Sequence, residues 1–152
     1  VFALSNPTNL TEIMPEDAIA WTDGQVWMAT GSPFPAVTWK GKQHIIGQGN
    51  NTFVFPGIGW GVAASGARTV EAEMMTDASF ALASQVTPER LASGAVFPPI
   101  ADLMKVTDHV ARAMAESAMR IGVATVSREQ MDKRLSQRDW TPEYANYELD
   151  AS

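Results

Sequence analysis

The architecture follows from one segment, VFALSNPTNLTEIMPEDAIAWTDGQVWMAT (residues 1–30). Its two ends, 1–5 and 26–30, are apolar runs bounded by turn residues, which is typical of strands covered on both faces. Between them, PEDAIAW (15–21) opens with proline and carries two acidic residues in its first turn, where a helix favours them. Strand, helix and strand at this spacing predict a βαβ unit with parallel strands, and hence an α/β fold.

Beyond this unit the sequence predicts one hairpin and then a series of helices. The runs 36–39 and 43–46 flank a LysGlyLys segment, a pattern that favours a small hairpin. The predicted helices start at Pro56, span about 70–84, start at Thr87-Pro88, span 102–121 and start at Ser127. The fourth has the clearest apolar periodicity and is followed by Gly122, while the last opens with the capping-box pair Ser127 and Gln130.

The composition excludes several classes of protein. Of the 152 residues, 45% are hydrophobic and 18% are charged, as in a globular domain rather than a disordered chain. The net charge of −6 argues against a nucleic-acid partner, and no run approaches the roughly 18 apolar residues of a membrane span. The absence of cysteine fits a reducing compartment. The chain opens with Val inside a strand-like run, so we expect its start to be a truncation or processing point.

Two segments offer polar groups where a ligand would bind an open α/β sheet. Asn6 follows the first strand, and ligands of such sheets lie beyond the carboxyl ends of the strands. Its alternative interpretation is that Asn-Pro is only a turn signal. In GQGNN (47–51) two glycines permit a close backbone approach, and Asn50 and Asn51 can donate to a carboxylate or a carboxamide. The alternative for this segment is an ordinary polar loop.

Other motifs do not support a site. GIGWG (57–61) has Val62 where a dinucleotide fingerprint needs its third glycine, and its glycines at a four-residue step are typical of helix packing. His44 and His109 lie far apart, and neither has a second ligand at metal spacing. Ser32 has no evident base, so a nucleophilic serine is not expected.

Several blocks, taken together in their order along the chain, resemble malic enzyme. The blocks are VFALSNPT (1–8), WTDGQVWMATGSPFP (21–35), GQGNNTFVFPGIGWG (47–61) and FPPIADLMKVT (97–107), with a tail, WTPEYANY (140–147), like that of the longer members. The resemblance implies the C-terminal half of a Rossmann-like, doubly wound parallel sheet followed by C-terminal helices. It assigns 1–126 to a partial NAD(P)-binding domain and 127–152 to a C-terminal helix and tail.

The resemblance also implies an activity, the oxidative decarboxylation of L-malate to pyruvate and CO2 with reduction of NAD or NADP. It implies contacts to substrate from Asn6, Asn50 and Asn51, and contacts to cofactor from Ser5, Asn6, Gly49 and Asn50. The catalytic Tyr and Lys of the family, its glycine-rich loop and the acidic ligands of Mg²⁺ or Mn²⁺ lie upstream of the matching segment. We therefore assign no catalytic residue and no metal ligand to this chain.

The partners implied are L-malate or pyruvate, the remainder of the enzyme chain and further copies in a homo-oligomer, with no nucleic acid and no membrane. The expected location is the cytoplasm, or the mitochondrial matrix in a eukaryote. Two alternatives stay open. One is a malolactic enzyme, which converts malate to lactate, and the other is a non-catalytic interaction or oligomerisation module with the same fold.

The isolated 152-residue chain is expected to show no malate-dependent reduction of NAD or NADP, even with Mn²⁺. Decarboxylation needs a metal to stabilise the developing enolate, and proton transfer needs a positioned acid and base. The resemblance places both outside this chain. Absorbance of the reduced cofactor measures the reaction, with a full-length enzyme as positive control. Turnover by the isolated chain near the full-length rate would overturn this expectation.

Overall fold

A computed structural model describes residues 1–137 of the chain. The predicted βαβ unit is present: β1 (Phe2–Ala3) pairs in parallel with β2 (Ala29–Thr30), and α1 (Pro15–Trp21) lies between them in sequence. The predicted hairpin is confirmed as the antiparallel pair β3 (Val37–Trp39) and β4 (Lys42–His44). The aromatic tail, 140–147, lies outside the described residues.

A third parallel strand, β5 (Gly47–Gln48), occupies the first two residues of GQGNN, so the alternative of an ordinary polar loop does not hold for that part. It pairs with β2, so the sheet has the order β1-β2-β5. The strand gives no apolar run in the sequence because it is short and half of it is glycine. A Cβ on Gly47 would lie 3.3 Å from the backbone nitrogens of Val96 and Phe97, so close packing against another backbone favours glycine here.

All five predicted helices downstream are present, with small differences at their ends. They are α2 (Phe55–Ser65), α3 (Ala72–Ala83), α4 (Pro88–Ala92), α5 (Leu103–Arg120) and α6 (Arg128–Ser136). The helix predicted over about 70–84 begins at Ala72, the start at Thr87-Pro88 is confirmed, and a 3-10 turn (Ile100–Asp102) precedes α5. Gly122, with φ 79°, follows the end of α5, and the capping box of Ser127 and Gln130 opens α6 as predicted.

The core lies along one face of α5, which packs between α2 and α3. Val106, Val110, Met114 and Ala118 recur at helical spacing on this face, and all four are fully buried. Phe53, from the turn before α2, is buried in the same cluster. The helices therefore form a packed layer, and Phe53 attaches the turn after β5 to it.

The glycines of α2 confirm that GIGWG packs helices together. A Cβ on Gly57 would lie 2.6 Å from Cβ of Val110, and one on Gly61 would lie 2.5 Å from the carbonyl oxygen of Ala111. Real Cβ atoms do not approach other atoms so closely, so both positions require glycine for the α2–α5 contact. Gly59, by contrast, is exposed and would meet nothing within 4 Å.

The last described helix packs on the preceding ones. Met131 of α6 is fully buried, and Arg134 Nη1 donates to the carbonyl oxygen of Ala63 at the end of α2, at 3.2 Å. Arg128 bonds to both Glu116 of α5 and Asp132 of its own helix. The predicted boundary between 126 and 127 falls just before this helix and stays a prediction.

The outer face of the helical layer is charged. Arg120 of α5 pairs with Glu73 and Asp77, which lie one turn apart on α3. A hydrogen bond from Ser117, together with Arg120, holds the pKa of Asp77 below its ordinary value. Within residues 1–137, no helix is long and apolar enough to cross a membrane.

Replacing Gly61 by alanine is expected to destabilise the protein, whereas the same change at Gly59 is expected to stabilise it. At Gly61 the added methyl group meets the backbone of Ala111 and Cβ of Met114, and such overpacking costs about 1–3 kcal/mol. At Gly59 it meets no atom, and the helix gains about 0.5–1 kcal/mol in propensity. Thermal unfolding midpoints of the two variants make the comparison. A midpoint for Gly61→Ala equal to or above that of the parent would refute the packing argument.

Candidate functional site

The carboxyl ends of the three parallel strands meet at one edge of the sheet, which we call the carboxyl edge. It consists of Ser5 and Asn6 after β1, Gly31 and Ser32 after β2, and 49–50 after β5. Parallel pairing places these segments side by side. The structure therefore brings Asn6 and Asn50 to the same edge of the sheet, on strands that flank β2.

The backbone after β2 bonds to both neighbouring strands. The N–H of Gly31 donates to the carbonyl oxygen of Ala3 at 2.9 Å, and the N–H of Gly49 donates to that of Thr30 at 2.8 Å. The side chain of Gln48 adds a bond from Nε2 to the carbonyl oxygen of Gly31, at 3.1 Å. These bonds fix the three strand ends relative to one another.

Gly31 lies where no other residue fits without displacing backbone. A Cβ at this position would lie 2.1 Å from the carbonyl oxygen of Leu4 and 3.0 Å from Nδ2 of Asn6. Across the edge, a Cβ on Gly49 would lie 2.9 Å from a methyl group of Leu4. The segments that follow β1 and β5 therefore approach each other closely beyond the end of β2.

The side chain of Asn6 has a defined orientation. Its Oδ1 accepts a hydrogen bond of 2.5 Å from Oγ of Ser32, and its Nδ2 donates a longer bond of 3.5 Å to the carbonyl oxygen of Leu4. Asn6 itself is exposed, whereas Ser32 is buried. Because an amide NH2 group carries two hydrogens, Nδ2 keeps a donor for a ligand.

The amide oxygen of Asn50 is also bonded within the chain, but to a different kind of donor. Its Oδ1 accepts from the backbone N–H of Thr52 at 2.9 Å, which caps a 3-10 turn (Asn51–Phe53) anchored in the core by Phe53. Its Nδ2 makes no hydrogen bond within the described residues. Asn51 is exposed next to it, at the start of the turn.

Ser5 is bonded to a carboxylate that sequence reasoning missed. The Ser5 hydroxyl donates to Oε1 of Glu12 at 2.6 Å, and the Ser5 N–H donates to Oε2 at 3.3 Å. The bond from the Ser5 hydroxyl is the main reason why the pKa of Glu12 lies below its ordinary value. Glu12 stands seven residues along in the loop before α1, where no motif marks it.

Sequence reasoning also missed the groups that orient the two amides. The sequence suggests a role for Ser32 only as a nucleophile without a base, and no motif assigns a role to Thr52. The contact between Ser32 and Asn6 depends on how the chain is folded at the carboxyl edge, since the residues are 26 positions apart. The contact of Asn50 with the N–H two residues on is a local pattern of asparagine at the start of a turn, and that signal could have predicted it. Among residues 1–137, no three His, Asp or Glu side chains come together as a metal site. The location of the metal ligands outside this chain stays a prediction.

Residues 1–119 match the family model described as "Malic enzyme, NAD binding domain". The chain belongs to the malic enzyme family. The fold class predicted from the sequence agrees with this, and so does the order of the four blocks that carried the resemblance.

Bacterial malic enzymes are among the similar proteins. The chain is 45% identical over 148 residues to the NAD-dependent malic enzyme of Aeromonas salmonicida (strain A449), and 45% identical to that of Proteus mirabilis (strain HI4320). Each alignment covers 97% of this chain and 26% of the relative. The chain therefore spans about a quarter of the length of these enzymes.

Two solved malic enzymes share the fold. The crystal structure from Pyrococcus horikoshii Ot3 matches with a TM-score of 0.61 at 31% identity, over 89% of this chain and 28% of that one. The structure from Entamoeba histolytica matches with a TM-score of 0.67 at 24% identity, over 89% of this chain and 25% of that one. Both matches support the α/β architecture, and in both this chain corresponds to a fraction of a larger enzyme.

Replacing Ser5 by alanine is expected to raise the pKa of Glu12 toward its ordinary value of 4.5, because the largest cause of the lowered pKa is lost. A carboxylate with a lowered pKa stabilises the folded state above its ordinary pKa, and this contribution is lost as the pH falls through the folded pKa. NMR titration of the labelled Glu12 carboxyl measures the pKa in both proteins. An identical pKa in Ser5→Ala would show that the hydroxyl does not bond to Glu12.

Proposed function

We propose that this chain is the part of an NAD-dependent malic enzyme that binds malate and the nicotinamide end of NAD at the carboxyl edge of its sheet. One observation carries the proposal. Both candidate amides, Asn6 and Asn50, have their oxygens occupied by donors from the chain itself, which leaves NH2 groups to face a ligand. Such a pair selects a ligand rich in hydrogen-bond acceptors.

The carboxylates of malate fit this requirement. A carboxylate is acceptor-only when ionised, so two oriented NH2 groups match it and do not match a cation. Amide donors hold the substrate without titrating, so their contribution does not depend on pH near neutrality. A divalent metal, when bound by the remainder of the enzyme, would supply Lewis-acid stabilisation of the developing charge.

Ser5 and Gly49 suit the cofactor. Because the Ser5 hydroxyl gives its hydrogen to Glu12, its oxygen is left as an acceptor, which matches the NH2 of a nicotinamide carboxamide. Gly49 would contact the cofactor through its backbone, because a Cβ there would lie 2.9 Å from a methyl group of Leu4 and the position favours a residue without a side chain. Asn50 lies next to it and can donate to either ligand.

The other parts of the proposal follow from the size of the chain. As about a quarter of a malic enzyme, it would be inactive alone, with the catalytic Tyr and Lys and the ligands of Mg²⁺ or Mn²⁺ in the remainder of the enzyme. We further propose a homo-oligomer in the cytoplasm, or in the mitochondrial matrix of a eukaryote. NADP use and malolactic activity are tested in the same full-length assay, by offering each cofactor and by separating pyruvate from lactate as product.

Substitutions of Asn50 in the full-length enzyme separate ligand binding from folding. Asn50→Asp keeps an acceptor for the N–H of Thr52 but replaces the NH2 donor by a negative charge, while Asn50→Ala removes both. We expect both variants to lose roughly tenfold to 150-fold in kcat/KM for malate, the effect of one hydrogen bond to a charged group. Steady-state kinetics measures this loss, and only Asn50→Ala should also lower the unfolding midpoint, since the cap is worth about 1 kcal/mol.

Asn9 provides the matched control, because it is an exposed asparagine in the connection between β1 and α1, within a 3-10 turn and outside the carboxyl edge. Asn9→Ala should leave kcat, KM and the unfolding midpoint unchanged. If Asn50→Asp retains the parental kcat/KM for malate, Asn50 does not contact the substrate and the proposal loses its main support.

A further inference from the structure

We propose that Ser32 is a positioning residue, which fixes the amide of Asn6 so that its NH2 group faces the ligand. The inference rests on the proposed role of Asn6 in binding. The segment that follows β2 thereby contributes to ligand recognition without contacting the ligand. The Ser32 side chain is buried and bonds to the Asn6 amide.

The backbone that carries the Ser32 hydroxyl is itself held in place. Ser32 is only 6% exposed, and its carbonyl oxygen accepts a bond of 2.7 Å from the hydroxyl of Thr30, which is 1% exposed. The preceding residue, Gly31, is fixed by its bonds to Ala3 and Gln48. The bond of 2.5 Å from Ser32 to Asn6 therefore joins an exposed side chain to a rigid part of the sheet.

An asparagine amide has two orientations that differ by exchange of its oxygen and its nitrogen. In the observed orientation, Oδ1 receives the Ser32 hydrogen and Nδ2 faces the carbonyl oxygen of Leu4. Exchange would set Oδ1 against that carbonyl oxygen, acceptor against acceptor, and although Oγ of Ser32 could then accept from Nδ2, the hydrogen of the buried Ser32 hydroxyl would lose its acceptor. Ser32 and Leu4 together thus select the orientation that presents a donor.

Without the hydroxyl, the exposed Asn6 side chain loses the bond that holds it, so that in part of the enzyme the amide is exchanged or in another rotamer and presents no donor to the carboxylate of the substrate. The apparent affinity falls with the fraction of molecules in the competent orientation. Loss of one neutral hydrogen bond corresponds to about threefold to tenfold in kcat/KM. The loss should appear only where Asn6 is present to be positioned.

A double-mutant cycle in the full-length enzyme tests this dependence. Ser32→Ala should lower kcat/KM for malate by about threefold to tenfold, and Asn6→Ala should lower it further. In the Asn6→Ala background, Ser32→Ala should have no additional effect. Ser32→Thr, which keeps the hydroxyl, should restore the parental value. If the alanine variant does not fold, Ser32→Cys replaces it in the cycle. The cysteine side chain is close in size to serine but is a weaker hydrogen-bond donor to Asn6.

The outcomes separate this inference from the proposed function. If Asn6→Ala leaves kcat/KM unchanged, Asn6 does not bind the ligand, and both its proposed role and the positioning by Ser32 are wrong. If Asn6→Ala is impaired while Ser32→Ala is unchanged, or if the two effects add fully, Ser32 does not act through Asn6. In that case the inference fails and the role of Asn6 stands.

Discussion

The close approach of Gly31 to the carbonyl group of Leu4 is the constraint on which the rest of the site depends. Any Cβ at position 31 would lie 2.1 Å from that carbonyl oxygen, so a larger residue would push β1 and β2 apart at their carboxyl ends. Gly31 also bonds to Ala3 on one side and accepts from Gln48 on the other. Gly31 therefore links the segments that carry Asn6 and Asn50, together with the backbone bond from Gly49 to Thr30.

The helices could be predicted from the sequence because the information for them is local. The apolar residues of α5 recur at helical steps, and Val106, Val110 and Met114 are all buried on one face. The start of α6 is equally local, since the residues of its capping box are three positions apart. The βαβ unit was predictable for the same reason, from two apolar runs around a helix that begins with proline.

The third strand and the orientation of the Asn6 amide were not predictable, because they depend on residues far apart in the chain. The strand β5 contains no apolar run, and Gly47 is required by the backbone near Val96 and not by its own neighbours in sequence. Ser32 and Asn6 are 26 positions apart, and no spacing rule connects them. The resemblance to a family predicts which side chains belong to the candidate site, whereas the fold shows which of their atoms are already bonded within the chain.

The orientation of these amides matters because an asparagine side chain by itself has no preference between donor and acceptor ligands. At the carboxyl edge the protein removes this ambiguity twice, with a hydroxyl from Ser32 for Asn6 and a backbone N–H from Thr52 for Asn50. Each bond occupies the amide oxygen and leaves the NH2 group for the ligand. In the proposed function, selectivity for a carboxylate over a cation would thus be encoded partly in groups that bond to the amides from within the chain. A charged side chain would achieve the same selectivity only by adding a full charge, which must then be desolvated when the ligand binds.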